Sequence, residues 1–301
     1  MNGRSIRLFF PDGDPSGLFT AEVMNWSGKM LVAPRSRLAD LAKREEVTRT
    51  GIYILAGPDP ENPMNEIVYI GEGDNVMTRL VKHNKDESKD FWTRCVCVIS
   101  KDLNLTKAHV RYLESRLIAL GYAAGRAKIH NSTAPAPTHL PEADLADMEG
   151  FLEHIELTLP VIGFSFLKPK PTVNRPDSSE PLGDDESPLF EFASGEAKAT
   201  AKEVDGEFVV LKGSTATLEP RASWTSYRKL RQQLVDEKKL VEVSGQGLLL
   251  FAEDVYLASP SAGAAIVAAG NSNGPGLWKT ADTRQTYRDW RQSQLPSEVD
   301  E

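Results

Sequence analysis

Two tyrosines stand at matching places in two short apolar runs, TGIYIL and VYIGEG. The runs flank GPDPENPMN, a loop rich in turn residues, which predicts that they pair as a β-hairpin. With the hairpin centred near Glu61, Tyr53 is expected to lie directly opposite Tyr69, and opposite residues share one face of a sheet. Two phenol hydroxyls, each able to donate or accept a proton, would then meet on that face.

Three more reactive side chains follow the hairpin. The segment DNVMTRLVKHN predicts a helix with Asp74 as its N-cap, and four-residue spacing places Arg79 and His83 on one side of it. TKAHVRYLESRLIALGYAAG predicts a second helix that ends at Gly125, with Glu114 inside its apolar stripe. A carboxylate on a core-facing stripe is costly unless a cation, a metal ion or strong donors satisfy it. Spacing alone leaves both an arginine ion pair and a metal site open.

The chain has 301 residues and a formal net charge of −8, but its charges are unevenly distributed. Residues 72–130 hold eleven Lys/Arg and seven Asp/Glu, whereas residues 132–200 hold four Lys/Arg and thirteen Asp/Glu. The region after YIG is therefore locally basic, as phosphate contact requires. Neither an apolar leader nor a membrane span of about 18 apolar residues is expected. The only cysteines, Cys95 and Cys97, are too few for a structural zinc site and indicate a reducing, cytoplasmic compartment.

Changes in composition divide the chain into four predicted segments of an α+β protein. Residues 1–46 predict an extension made of a β-hairpin and a helix, and residues 47–165 alternate strands and helices. Residues 166–202 are rich in Pro, Ser, Asp and Glu, which is the composition of a flexible acidic linker. Residues 203–295 predict a second, smaller α+β domain.

The order of these residues resembles the GIY-YIG endonuclease superfamily over about residues 47–165. The GIY and YIG tripeptides that name the family contain Tyr53 and Tyr69. The other family positions are filled by Arg79 on the helix after YIG, His83 one turn later, Glu114 on a later helix, and Asn131 in KIHN. This resemblance favours a metal ligand over an ion pair at Glu114.

The resemblance implies a small sheet flanked by helices that cleaves DNA phosphodiester bonds with a divalent metal. Glu114 would hold a single Mg²⁺ or Mn²⁺, and Arg79 would offer its planar fork to the phosphate. Tyr53 would orient or deprotonate the attacking water, assisted by Tyr69 or His83. A phenol near pKa 10 is a poor base at neutral pH, so its surroundings would have to change that.

Four further positions are assigned around this core of the site. Asn131 is expected to orient the surroundings of the metal ligand, and Gly71 to leave room for the backbone to approach substrate. Lys82 and Lys107 are predicted to contact the substrate. Glu72 departs from the pattern, since many relatives carry a small or basic residue there. It either tunes metal and phosphate binding or points to solvent.

The C-terminal domain resembles a module of unknown function that is appended to nucleases of this type, and also the RAMA-type domain that accompanies DNA-modification enzymes. This implies DNA targeting or protein interaction, with a DNA-modification enzyme as a further partner. Four residues either line a surface or build an aromatic core, namely Trp278, Lys279, Tyr287 and Trp290. The run YRKLR either contacts phosphate or is a solvated helix face.

The sequence therefore predicts a metal-dependent endonuclease with DNA as its partner. Two alternatives remain open. One is a catalytically weak nucleic-acid-binding or regulatory protein on the same fold. The other is a structural interaction protein that docks through the acidic segment. The oligomeric state, the DNA sequence preference and the biological role are left open.

Overall fold

The computed structural model describes residues 3–60, 65–132, 139–170 and 187–295. The chain forms two compact units, residues 1–169 and residues 170–301. Strands and helices occur in both units, so the α+β prediction is confirmed. No helix in the described ranges is long and apolar enough to cross a membrane.

The first unit is built on one seven-stranded sheet. Its strands are β1 (Ile6–Phe9), β2 (Phe19–Val23), β3 (Gly28–Pro34), β4 (Gly51–Pro58), β5 (Glu66–Gly73), β6 (Arg94–Ser100) and β7 (Lys128–Ile129). Its helices are α1 (Leu38–Leu41), α2 (Val76–Asn84), α3 (Lys107–Ala124) and α4 (Glu142–Val161). The strand order is β1-β2-β3-β6-β4-β5-β7, with β5 and β7 parallel and the other pairs antiparallel.

Apolar side chains cover both faces of this sheet. On one face, Ile52 and Ile54 of β4 belong to a core that includes residues of α3 and α4. On the other face, Leu55 packs with Leu41 of α1 and Leu80 of α2. The strand β4 is therefore a two-sided central strand, and its apolar residues do not alternate with polar ones.

Local signals fix the ends of the two helices that carry candidate site residues. The N-cap of α2 is Asn75, not the predicted Asp74, and its side chain accepts a first-turn backbone N–H at 2.9 Å. Helix α3 begins after Thr106 and ends, as predicted, at Gly125, whose φ of 57° is left-handed.

The N-terminal segment contains a third strand that was not predicted. Strand β3 pairs with β6 from Gly28 to Pro34, so β1–β3 continue the sheet that carries β4 and β5. The predicted helix of this segment shrinks to the four-residue α1 and two short 3-10 turns. The first 46 residues are thus part of the same unit as the candidate site.

The second unit contains a five-stranded and a three-stranded sheet. Its strands are β8 (Phe190–Ser194), β9 (Ala197–Val204), β10 (Glu207–Val210), β11 (Thr215–Thr217), β12 (Leu240–Val243), β13 (Leu248–Phe251), β14 (Val255–Leu257) and β15 (Lys279–Thr280). Its helices are α5 (Arg228–Asp236), α6 (Pro260–Ala268), α7 (Gly274–Leu277) and α8 (Tyr287–Ser293). The sheet orders are β14-β10-β9-β8-β15 and β11-β13-β12.

Both predicted boundaries of the acidic linker, residues 166 and 202, are wrong. Phe166 and Leu167 are buried in the core of the first unit. At the other end, β8 and β9 lie within the segment that was assigned to the linker, so the second unit's structure begins before residue 203. Residues 171–186, the middle of the predicted linker, lie outside the described residues.

Burial settles one open interpretation of the second unit and only part of another, because Arg228 and Lys229 of YRKLR are exposed and both alternatives stay open for them. Trp278 is fully buried, and Tyr287 and Trp290 pack against the same core, which favours the aromatic-core interpretation. In YRKLR, Arg231 is buried and donates to the carbonyl oxygen of Leu218 at 3.2 Å. That arginine is therefore a structural donor and belongs to no solvated face.

Candidate active site

Tyr53 and Tyr69 share one face of the β4–β5 hairpin, but they are not directly opposite. Tyr53 pairs with Gly71 and Tyr69 pairs with Leu55, so the predicted register is wrong. The offset is two residues, which preserves the shared face because side chains alternate with a period of two. The two ring centroids are 6.2 Å apart.

Gly71 makes room for the Tyr53 ring. A Cβ atom at Gly71 would overlap the hydroxyl and Cζ of Tyr53, so only glycine lets this ring lie flat across the partner strand. The same device recurs two residues later, where a Cβ at Gly73 would lie 2.7 Å from Cγ of Arg79. Gly71 therefore positions Tyr53, while its role in substrate approach stays a prediction. Gly73, which was not among the predicted site residues, positions Arg79 in the same way.

Gly71→Ala is expected to abolish the arrangement of Tyr53. The added methyl must displace the ring, and overpacking of this kind costs about 1–3 kcal/mol. The melting temperature should fall, and any activity that needs the Tyr53 hydroxyl should be lost. Gly150→Ala is the matched control, since a Cβ there meets nothing within 4 Å. Equal activity of the two variants would show that Tyr53 needs no such placement.

His83 contacts the Tyr53 hydroxyl directly. Its Nε2 lies 2.7 Å from that oxygen, and the side chain of this α2 residue is buried. Burial, together with the charges of Lys89 and Arg79, lowers the pKa of His83 to about 4. If Nε2 accepts the Tyr53 proton, the ring's other proton lies on Nδ1, which is buried and has no hydrogen-bond partner in the described part of the chain, so the charged ring is poorly stabilised. His83 is consequently neutral at neutral pH and can accept a proton only transiently.

Burial also raises the pKa of Tyr53 well above its usual value, and the nearby Tyr69 adds to this. Arg79 acts in the opposite direction through its contact with the Tyr53 hydroxyl, which in turn raises the pKa of Arg79. Tyr53 therefore carries its proton at neutral pH. It can act as a base only if it passes that proton on, and His83 Nε2 is in place to take it.

Tyr69 is held by contacts to its ring. Its centroid lies 5.1 Å from that of His83, and Lys89 Nζ lies 4.8 Å from the centroid. A cation over the ring face is attracted by the negative charge of the π system. Lys89 was not predicted as a site residue, because it lies beyond α2 in a short turn and no periodicity connects it with Tyr69.

Glu114 is half-buried on α3 and unsatisfied. Among the residues that the structure describes, its carboxylate has no hydrogen-bond or ion-pair partner within bonding distance. Burial first, and then the negative charge of Glu72, raises the pKa of Glu114 to about 7, against the opposing charges of Arg79 and Lys107. The ion-pair alternative for Glu114 is therefore wrong.

Glu72 takes the ion pairs that Glu114 lacks. Its Oε2 lies 2.6 Å from Nζ of Lys107, its Oε1 lies 3.9 Å from Nε of Arg111, and its side chain is only 14% exposed. The interpretation that Glu72 points to solvent is wrong. Lys107, predicted to contact substrate, is tied to Glu72, whereas Lys82, the other predicted contact, is exposed on α2.

The side chain of Asn131 bonds the backbone of strand β5 and does not contact the Glu114 carboxylate in the described residues. Its Nδ2 donates to the carbonyl oxygen of Ile70 at 2.7 Å, and its Oδ1 accepts the N–H of Ile70 at 3.0 Å. Ile70 lies between Tyr69 and Gly71, so this pair of bonds fixes the part of β5 that places both. The predicted role at Glu114 is corrected to a positioning role on β5.

The site lies where the edge of β5 opens. Strand β7 pairs with β5 only at Ile67 and Val68. Further along β5, the Asn131 side chain bonds the backbone of Ile70 in place of a neighbouring strand. Beside Gly71–Gly73 no further strand is present in the described ranges on this side. Alternation along β5 places Tyr69 on one face and Glu72 on the other, and Arg79 acts electrostatically on both.

The donor set is compatible with Mg²⁺ but not with a metal enclosed by protein ligands. Over the described segments, no group of three or more His, Cys, Asp or Glu side chains could hold a metal ion. Mg²⁺ typically keeps several waters and binds through one or two carboxylates plus substrate phosphates. Glu114, unpaired and beside Glu72, is the carboxylate that fits this mode.

Comparison with known proteins reaches only the second unit. A family described as a domain of unknown function, DUF4357, matches residues 190–291, roughly a third of the chain. The matched segment begins with β8, in agreement with the corrected start of that unit. No curated protein and no solved structure matches the chain.

Proposed function

We propose that the first unit is a divalent-metal-dependent endonuclease of the GIY-YIG type, which hydrolyses DNA phosphodiester bonds. The observation that carries this proposal is the Glu114 carboxylate, which is half-buried and unpartnered although two arginines act on it. A structural carboxylate in such a place would be paired, because an unpaired buried charge is costly. A hard cation that arrives with the substrate satisfies it instead.

The proposed chemistry begins with the Tyr53–His83 pair. As water attacks phosphorus and the P–O bond to the leaving oxygen breaks, Tyr53 takes a proton from that water while its own proton passes to Nε2 of His83, 2.7 Å away. The leaving oxygen takes its proton from solvent water. Because His83 is neutral at neutral pH, it can accept the Tyr53 proton, and its low pKa returns the proton readily. Tyr69 and Lys89 form the wall that keeps both rings in place.

Arg79 is proposed to neutralise charge on the phosphoryl oxygens. It is exposed on α2 and already contacts the Tyr53 hydroxyl, so a phosphate beside it would also lie beside the attacking water. Lys82, three residues along the same helix, extends the positive surface toward the neighbouring phosphate. Mg²⁺ or Mn²⁺ held by Glu114 would supply positive charge at the leaving oxygen.

We place this activity in the cytoplasm, because the two cysteines of the chain are both free thiols buried in β6. A reducing compartment keeps such thiols unpaired. The burial of both side chains on one strand is the structural role expected for small apolar residues.

The test is cleavage of supercoiled plasmid by the purified full chain, with Mg²⁺ or Mn²⁺ and with EDTA in parallel. The proposal expects nicked and linear products with either metal and intact plasmid with EDTA. Binding of DNA without cleavage under any of these conditions would overturn it in favour of a binding protein. Cleavage that persists in EDTA would overturn the metal-dependent mechanism.

A further inference from the structure

The second unit has a large cavity on the outer face of its five-stranded sheet. Its volume is about 910 Å³. The inner face of β8 and β9 carries Phe190, Phe192 and alternate alanines, which pack with α6 and Trp278 in the core. Alternation along the strands therefore turns Glu191 and Thr200, which are direct partners, outward to the cavity.

Four cations from four different places in the chain surround this cavity. Lys198 lies on β9, Lys212 in the turn before β11, Lys279 on β15 and Arg284 before α8. Lys279 pairs across strands with Glu191, the single acidic residue of the lining. The sheet and two turns thus bring together positive charges that are far apart in the sequence.

Most of this charge is not neutralised. Glu191 accepts from Arg284 at 2.8 Å. The other three, Lys198, Lys212 and Lys279, have no acidic partner within bonding distance among the described residues. Residues 190–291 contain thirteen Lys/Arg and thirteen Asp/Glu, so a net charge of about +3 around one cavity is a local segregation within a balanced domain.

Packing does not account for the cluster. Lys198 and Lys212 are exposed, and their head groups contribute nothing to the aromatic core on the other face. Like charges that converge around one hollow repel each other, so the arrangement gains stability when an anion enters. The rest of the lining combines small residues, among them Ala193 and Thr200, with the apolar side chains of Phe192 and Leu277.

We propose that this cavity binds consecutive phosphates of a DNA strand and thereby holds substrate for the first unit. The choice of DNA rests on the proposed endonuclease function, whereas the anionic chemistry rests on the cavity alone. Three unpaired ammonium groups at separate walls match several phosphates in a row better than one small anion, and the exposed walls let a continuous chain pass. The ammonium group suits this task because it acts as a point charge and requires no fixed geometry.

The experiment measures the affinity of the full chain for a labelled DNA duplex in EDTA over a salt series. The cavity variant is Lys198→Gln/Lys212→Gln/Lys279→Gln. A matched control removes the same charge from exposed positions of the same unit outside the cavity, Arg221→Gln/Lys238→Gln/Arg288→Gln. Melting temperatures verify that both variants remain folded.

We expect the cavity variant to lose about tenfold or more in DNA affinity at moderate salt. The slope of the logarithm of the DNA association constant against the logarithm of the salt concentration should flatten by roughly 2–3. The control should stay within about twofold of wild type. An unchanged cavity variant, or an equal loss in the control, would overturn the proposal. So would displacement of DNA from wild type by millimolar inorganic phosphate alone, which would indicate a site for a single small anion.

Failure of this proposal is distinguishable from failure of the endonuclease proposal. The affinity of the cavity variant is measured in EDTA, where the proposed endonuclease does not cleave, so it reports on binding without the reaction of the first unit. A chain that cleaves nothing but loses DNA affinity specifically in the cavity variant would refute only the nuclease. A chain that cleaves normally and binds equally well with the cavity neutralised would refute only the cavity.

Discussion

Glu114→Gln is expected to abolish divalent-dependent DNA cleavage while melting at least as high as wild type in EDTA. The amide keeps the size of the side chain but cannot hold a hard cation, and loss of such charge stabilisation lowers turnover by about 10²–10³-fold or more. The fold should not suffer, because the wild-type carboxylate has no partner to lose among the described residues.

The pH dependence of stability gives this variant a second readout. Burial raises the pKa of Glu114 to about 7, above its ordinary 4.5, so the folded protein holds this proton more tightly than the unfolded chain does. In EDTA the contribution of Glu114 to stability is most favourable below pH 4.5 and falls as the pH rises through 7. The melting temperature of wild type relative to Glu114→Gln should therefore decline over this range.

A large drop in stability on Glu114→Gln would mean that the carboxylate makes a structural ion pair. It would contradict both the metal-ligand role of Glu114 and its unpaired state. Glu149→Gln serves as the comparison. Glu149 accepts two bonds from Arg116, at 2.9 and 3.0 Å, so its replacement should lower stability without removing metal dependence.

Tyr53→Phe is expected to lower turnover by about 10²–10⁴-fold with little change in DNA affinity. Only one hydroxyl is removed, and the ring continues to fill the space above Gly71. The variant leaves Nε2 of His83 without its phenol partner, so the proton has no route away from the attacking water. Single-turnover cleavage and duplex affinity, measured separately, provide the comparison.

Tyr112→Phe is the matched control for Tyr53→Phe, since it removes the hydroxyl of another buried tyrosine, which donates to Glu149 instead. It should cleave at close to the wild-type rate. If Tyr53→Phe weakens binding and leaves turnover intact, Tyr53 is a contact to the substrate and has no part in proton transfer.

Much of the fold could be predicted where local signals act alone. The end of α3 at Gly125 follows from turn chemistry, whereas the N-cap of α2 is Asn75, one residue beyond the predicted Asp74. The register of β4 and β5 could not, because β4 is buried on both faces and its apolar run fits either pairing equally well. Strand β9 was hidden for another reason. Its alternation of alanine with Lys and Thr was present, but the composition of the surrounding segment outweighed it.

The candidate site also combines features that local sequence predicts with features that depend on distant contacts. Residue types together with the resemblance to GIY-YIG endonucleases placed Tyr53, Arg79, His83 and Glu114 as candidates, and the contact of His83 with Tyr53 agrees with their assignment to one group. The roles of Asn131 and Gly71 required the sheet, since one takes a ladder position beside β5 and the other lies beneath a ring from β4. Such contacts join residues that are distant in sequence, and no local pattern encodes them.

The most direct test of the account compares single-turnover cleavage of a labelled duplex by wild type and Glu114→Gln, purified in parallel. Each is assayed in Mg²⁺, after chelation by EDTA, and after Mg²⁺ is restored. We expect that wild type cleaves, stops on chelation and resumes on restoration, while Glu114→Gln stays inactive throughout. Equal rates for the two proteins in Mg²⁺ would contradict it, because the cleavage would then not depend on the carboxylate that defines the site.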